Sequence, residues 1–176
     1  MENENFNIND FVLSELIKHS KIEKVKSMLY SRNINLEFDI CKESFFRGYC
    51  IKSPNEKNKY IIHINVKESL KEDLLNFNKR GVLGDVFNPQ VKKFIPKSIE
   101  DIGVYSILYT LLHEYKHYIQ YENGELDNID MSLDKNNKYS NDNATILEED
   151  AEMFALEHIY DLMQGYYDFF KEVETE

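Results

Sequence analysis

Residues 113–117 read HEYKH. Two histidines stand four apart, with a glutamate directly after the first. On an α-helix, positions i and i+4 lie about 40° apart around the axis and one turn along. His113 and His117 can therefore aim both imidazoles at one point. Glu114 lies about 100° round from His113, beside that point. Imidazole nitrogens are good ligands for Zn2+, and a zinc site with one open position acidifies water there. A carboxylate alongside can then take the proton as a general base, which is the role we expect for Glu114. The plain alternative is a helix with three unconnected polar residues. Ile107, Leu108, Leu111, Leu112, Tyr115, Tyr118 and Ile119 surround the motif and argue for a central helix. Polar groups near a core need partners.

A third protein ligand is required, and LEEDAEMFALEH at residues 147–158 offers acids early in a second helix. We expect Glu148 as the third metal ligand, with Glu149 the next candidate. Glu152, one turn beyond Glu148, is expected to hold a ligand histidine by accepting its other ring N–H. Read alone, these acids would only complement a helix N-terminus. Ala151 and Ala155 share that side and allow two helices to approach closely.

The pair of motifs, HEYKH at 113–117 and EEDAEMFA at 148–155, resembles the gluzincin metallopeptidases and is most similar to the compact ImmA/IrrE type. RGYC at 47–50 followed by YIIHINV at 60–66 is a weaker echo of the same family. The resemblance covers about residues 45–160. It implies a minimal zincin-like fold with His113, His117 and Glu148 on zinc, Glu114 as base and Glu152 supporting a ligand. It also implies that the strand around Ile62, His63 and Ile64 is an edge on which an extended peptide substrate pairs. Lys116 stands where the family pattern has an uncharged residue, so it either reaches solvent or crowds the site.

Other polar residues have lesser claims. His63 could assist an oxyanion, although a strand histidine is more often a plain structural group. His158 is nearly in phase with Glu148 but displaced along the helix. Of Tyr118, Tyr121 and Tyr139, the last is the candidate to stabilise a tetrahedral intermediate, since it lies on a polar loop. Asp127, Asp130 and Asp134 lack the glycine and closing glutamate of a calcium loop.

The elements that must position these groups follow from periodicity. A helix is expected over 11–30, capped by Asn9 or Asp10, then a strand at 34–40. Strands at 44–51 and 60–66 flank a turn with Pro54 and Asn55, a hairpin signal. A helix over 67–81 stops at Gly81. Residues 82–97 read as loop. Ser98 and Asp101 form a capping box for the long HEYKH helix, which ends near Gly124. A loop over 125–142 precedes a last helix over 143–171, with Gly165 as a possible interruption point. Strands run together and helices run together, which predicts α+β: a small, mainly antiparallel sheet of about three strands packed on the HEYKH and C-terminal helices. We expect one zincin-like domain over 1–176, with the helix of 1–32 appended.

Composition narrows the partners. Lys plus Arg is 21 and Asp plus Glu is 32, a net charge of −11. Such a surface repels phosphate, so no nucleic-acid partner is expected. Lysines 92, 93 and 97 read as solubilising. No run approaches a membrane span and the first residues lack a signal-peptide pattern, so no membrane partner and a cytoplasmic location are expected. Cys41 and Cys50 lack CxxC spacing and are expected as separate thiols, not a bridge. The functional expectation is a zinc-dependent endopeptidase acting on an intracellular protein or peptide. The alternative is a zincin-like regulator that binds a protein or peptide and cleaves nothing. Oligomeric state is left open.

Overall fold

The computed structural model describes residues 33–39, 46–134, 138–139 and 141–173, with side chains through 164. The expected helix over 11–30 and Cys41 fall outside the described residues. Those residues form an α+β fold of three strands and three helices: β1 (Ile34–Asp39), β2 (Gly48–Lys52), β3 (Tyr60–Asn65), α1 (Val66–Arg80), α2 (Ile99–Glu122) and α3 (Asp142–Val173).

β3 is the middle strand. Its alternation places Tyr60, Ile62 and Ile64 on the core face, where the two isoleucines are wholly buried. β2 pairs with it antiparallel through the expected hairpin, and β1 pairs with it parallel on the other side. The sheet is therefore mixed, not mainly antiparallel. Alternation fixes which face a side chain takes, but leaves neighbour and direction open. Once the hairpin occupies one side of β3, β1 takes the other.

β3 runs into α1 with no loop. Asn65 ends the strand, and its side chain accepts from the Glu68 N–H as the helix N-cap. Gly81 terminates α1 with φ 68°, the left-handed region that favours glycine.

The Ser98–Asp101 capping box opens α2 as expected. From Asp101 to Leu111 every residue of α2 is buried, so the helix is central to the fold. The preceding segment, read as plain loop, contributes to the core. Leu83 and Phe94 form an isolated bridge, and Phe94 stacks on Tyr105 at 5.5 Å. α3 lies against α2, with Ala151 and Ala155 fully buried and Leu156, Ile159 and Met163 extending the contact. It continues through Gly165 without interruption. Among the described residues no helix is long and apolar enough to cross a membrane.

Candidate metal centre

α2 delivers His113, Glu114 and His117 to one side of a cleft of about 520 Å³, and α3 delivers Glu148. The Nε2 atoms of His113 and His117 are 3.2 Å apart. Glu148 Oε2 lies 3.2 Å from His113 Nε2, and Oε1 lies 3.2 Å from His117 Nε2. A tetrahedral ion with ligand bonds of 2.0–2.1 Å spaces its donors by roughly 3.3 Å. The three donors therefore fit a divalent metal in both chemistry and spacing, and the group could hold a metal ion. Glu149, the other candidate ligand, is exposed and outside this group.

Burial works to raise the Glu148 carboxyl. Hydrogen bonding and attraction from the two imidazoles outweigh it and hold the group well below the usual carboxylate range. Glu114 differs. It is 5% exposed, and burial pushes its carboxyl up to about 7, against the pull of both histidines. A carboxyl poised there can take and return a proton near neutrality.

Glu152 stands at the ring nitrogen expected of it, but Oε2 is 3.8 Å from His113 Nδ1, beyond hydrogen-bond reach. Burial first, and the Glu152 carboxylate second, hold the Tyr109 phenol well above its ordinary value. Lys116 does not crowd the site: Nζ is 3.0 Å from Asp150 Oδ2. Tyr139 lines the cleft beside Glu148. Burial first, and Glu148 second, raise that phenol well above its ordinary value, so it remains a donor.

β2 forms the facing wall, with residues 46–51 all lining the cleft. Its first residue must be glycine. A Cβ at Gly48 would lie 2.6 Å from the His63 carbonyl oxygen, 2.9 Å from Thr110 Cγ2 and 3.1 Å from Glu114 Cγ. The absent side chain lets the strand sit directly on α2 beside Glu114. Arg47, just before it, is tied to α1 by a 2.5 Å bond to Asp73 Oδ2, with its guanidinium 4.8 Å over the Tyr109 ring. The Arg47 carbonyl accepts from Asn65 N–H, and Ser53 N–H donates to Lys59. Ladder alternation then turns the main-chain groups of Gly48, Cys50 and Lys52 outward, to the side of β2 that has no strand neighbour among the described residues.

This corrects the edge-strand expectation. β3 is interior, Ile62 and Ile64 are 0% exposed, and none of Ile62, His63 and Ile64 lines the cleft. His63 alternates onto the opposite sheet face, stacked on Tyr49 at 4.7 Å with Nδ1 3.7 Å from Glu37, away from the cleft lining. Among the described residues the outer strands are β1 and β2, and β2 is the one that lines the cleft. Among the other residues weighed, His158 packs on the Phe154 ring and Tyr118 packs edge-on to Tyr60. Cys50 is a free, buried thiol that burial keeps protonated.

Gln120 was missed. It is completely buried and its Oε1 lies 2.7 Å from His117 Nδ1. An amide three residues after the second histidine, on a helix expected to be central, was the available signal. No family model, curated protein or solved structure matches this chain.

Proposed function

We propose that the protein is a zinc-dependent peptidase of the gluzincin kind that its two helix motifs resemble. The observation that carries this reading is the convergence of His113, His117 and Glu148 at mutual distances of 3.2 Å, with a buried carboxylate in the same cleft. Bound there, the ion would supply a Lewis acid that polarises a peptide carbonyl and acidifies water. Glu114 accepts the proton of the attacking water and passes it to the nitrogen of the departing amine, so the carboxylate ends as it began. Tyr139 offers its hydroxyl hydrogen to the negative charge that develops on the carbonyl oxygen. An extended substrate adds to the free side of β2, bonding to the main chain of Gly48 and Cys50 and passing between that strand and the metal ligands.

Metal analysis tests the centre. Purified protein is expected to hold one zinc per chain, and His113→Ala and His117→Ala to hold almost none. Native protein without stoichiometric zinc would sink the reading. A peptide-library digest tests turnover. Zinc-loaded protein that cuts no member of the library returns the function to the binding-only alternative.

A further inference from the structure

We propose that Gln120 is a positioning residue for this centre. It dictates which ring nitrogen His117 turns to the metal, and it ties the turn carrying Glu148 to α2. The inference rests on the metal-site reading above and deepens it.

The argument begins with burial. Gln120 is 0% exposed, and a buried amide is costly unless its bonds are made. All of its polar atoms are engaged. Nε2 donates to the Leu147 carbonyl and to Asp150 Oδ2, each at 3.0 Å. Oε1 faces His117 Nδ1 at 2.7 Å. The orientation of a side-chain amide is decided by its neighbours. Here the two partners of Nε2, a carbonyl and a carboxylate, are acceptors. Turning the amide over would set Oε1 against both. Oε1 therefore faces His117, and an oxygen at that distance requires a proton on Nδ1. The lone pair of the imidazole is left on Nε2, the nitrogen that meets His113 and Glu148 at 3.2 Å.

The other half of the amide acts on α3. Leu147 and Asp150 bracket Glu148 in sequence, so Nε2 grips the helical turn on both sides of the third ligand. Lys116 adds its own bond to Asp150 from the same helix. The bond to His117 is local, three residues along α2. The bonds to α3 span 27 and 30 residues. One side chain thus couples the ring orientation of one ligand to the placement of another, as partners behind metal ligands do elsewhere.

The test uses the full chain, zinc, and two variants. Gln120→Met keeps the volume and removes every hydrogen bond. Gln120→Glu keeps an acceptor for His117 but loses both donors. Zinc affinity is read by competition with a chromophoric chelator, and is expected to fall about 10- to 100-fold in Gln120→Met and by less in Gln120→Glu. Nitrogen-15 spectra of the zinc-loaded wild type and Gln120→Glu are expected to show His117 with its proton on Nδ1 and its metal-shifted nitrogen at Nε2. Amide exchange over residues 145–151 of the metal-free protein is expected to quicken in both variants. Wild-type zinc affinity in Gln120→Met, or a His117 that binds zinc through Nδ1, would overturn the proposal while leaving the metal centre standing. If Gln120→Met does not fold, unchanged exchange in Gln120→Glu overturns the tether. Wild-type protein that takes up no zinc overturns the centre, and this inference with it.

Discussion

On the α2–α3 side of the cleft, His113, His117, Glu148 and Gln120 are joined by contacts of 2.7–3.2 Å. On the β2 side, Tyr49 and Ile51 are 43% and 38% exposed, and the main-chain groups of Gly48 and Cys50 turn to the side with no strand neighbour among the described residues. The helical wall holds its chemistry in side-chain atoms whose replacement leaves a buried partner unsatisfied. The strand wall offers peptide groups that every residue but proline carries. Helices therefore supply identity here, and the strand supplies alignment. Tolerance to substitution should differ accordingly between the two walls, with one exception on the strand side, Gly48.

The largest contrast is expected at Glu114. Glu114→Gln leaves all three ligand atoms in place, so zinc content should stay at the wild-type level while the peptide-cleavage rate falls about 10²- to 10⁴-fold. Lost zinc in that variant would mean that Glu114 holds the site together and does not serve as the base. Gly48→Ala comes next, because it strikes both walls at once. The added methyl meets a main-chain oxygen at 2.6 Å, so β2 must move. We expect a loss of about 1–3 kcal/mol in chemical denaturation and a cleavage rate lower by roughly ten- to a hundredfold. A variant as stable and active as wild type would show that β2 does not need this close approach. The smallest effect is expected at Ile51→Ser, which trims an exposed side chain and keeps the peptide groups. Stability should stay within about 0.5 kcal/mol of wild type; a larger drop would place Ile51 in an apolar contact and weaken the contrast between the walls.

The same contrast explains what could be read from sequence. The helical wall was legible because the helix period carries three-dimensional information. Two histidines at i and i+4 must share a face, and Ala151 and Ala155 mark where α3 can approach. Gln120 escaped because its partners, Leu147 and Asp150, are contributed by another helix, which a single-helix reading does not see. The strand wall was only half legible. Alternation puts Ile62 and Ile64 on one face and His63 on the other, yet a period of two does not say whether a strand is central or peripheral. β3, the expected edge, is the middle strand, and β2 is the outer strand that lines the cleft. Gly48 was visible as a glycine in a strand, a mark of close approach, but what approaches it comes from β3 and from Thr110 and Glu114 of α2, far along the chain. Leu83 and Phe94 were hidden in a stretch without periodicity, where two inward side chains are enough to anchor a connection.

Asn65 belongs at once to a ladder and to a helix end. Sliding β3 by a single position would carry His63 into the apolar interior, expel Ile62 and Ile64, and leave the Glu68 amide hydrogen without its acceptor. Misalignment is thus penalised at two places by one movement. The strand that backs β2 has a single comfortable setting, and a peptide laid along β2, as the proposed function has it, would inherit that setting as a ruler against which its residues are counted.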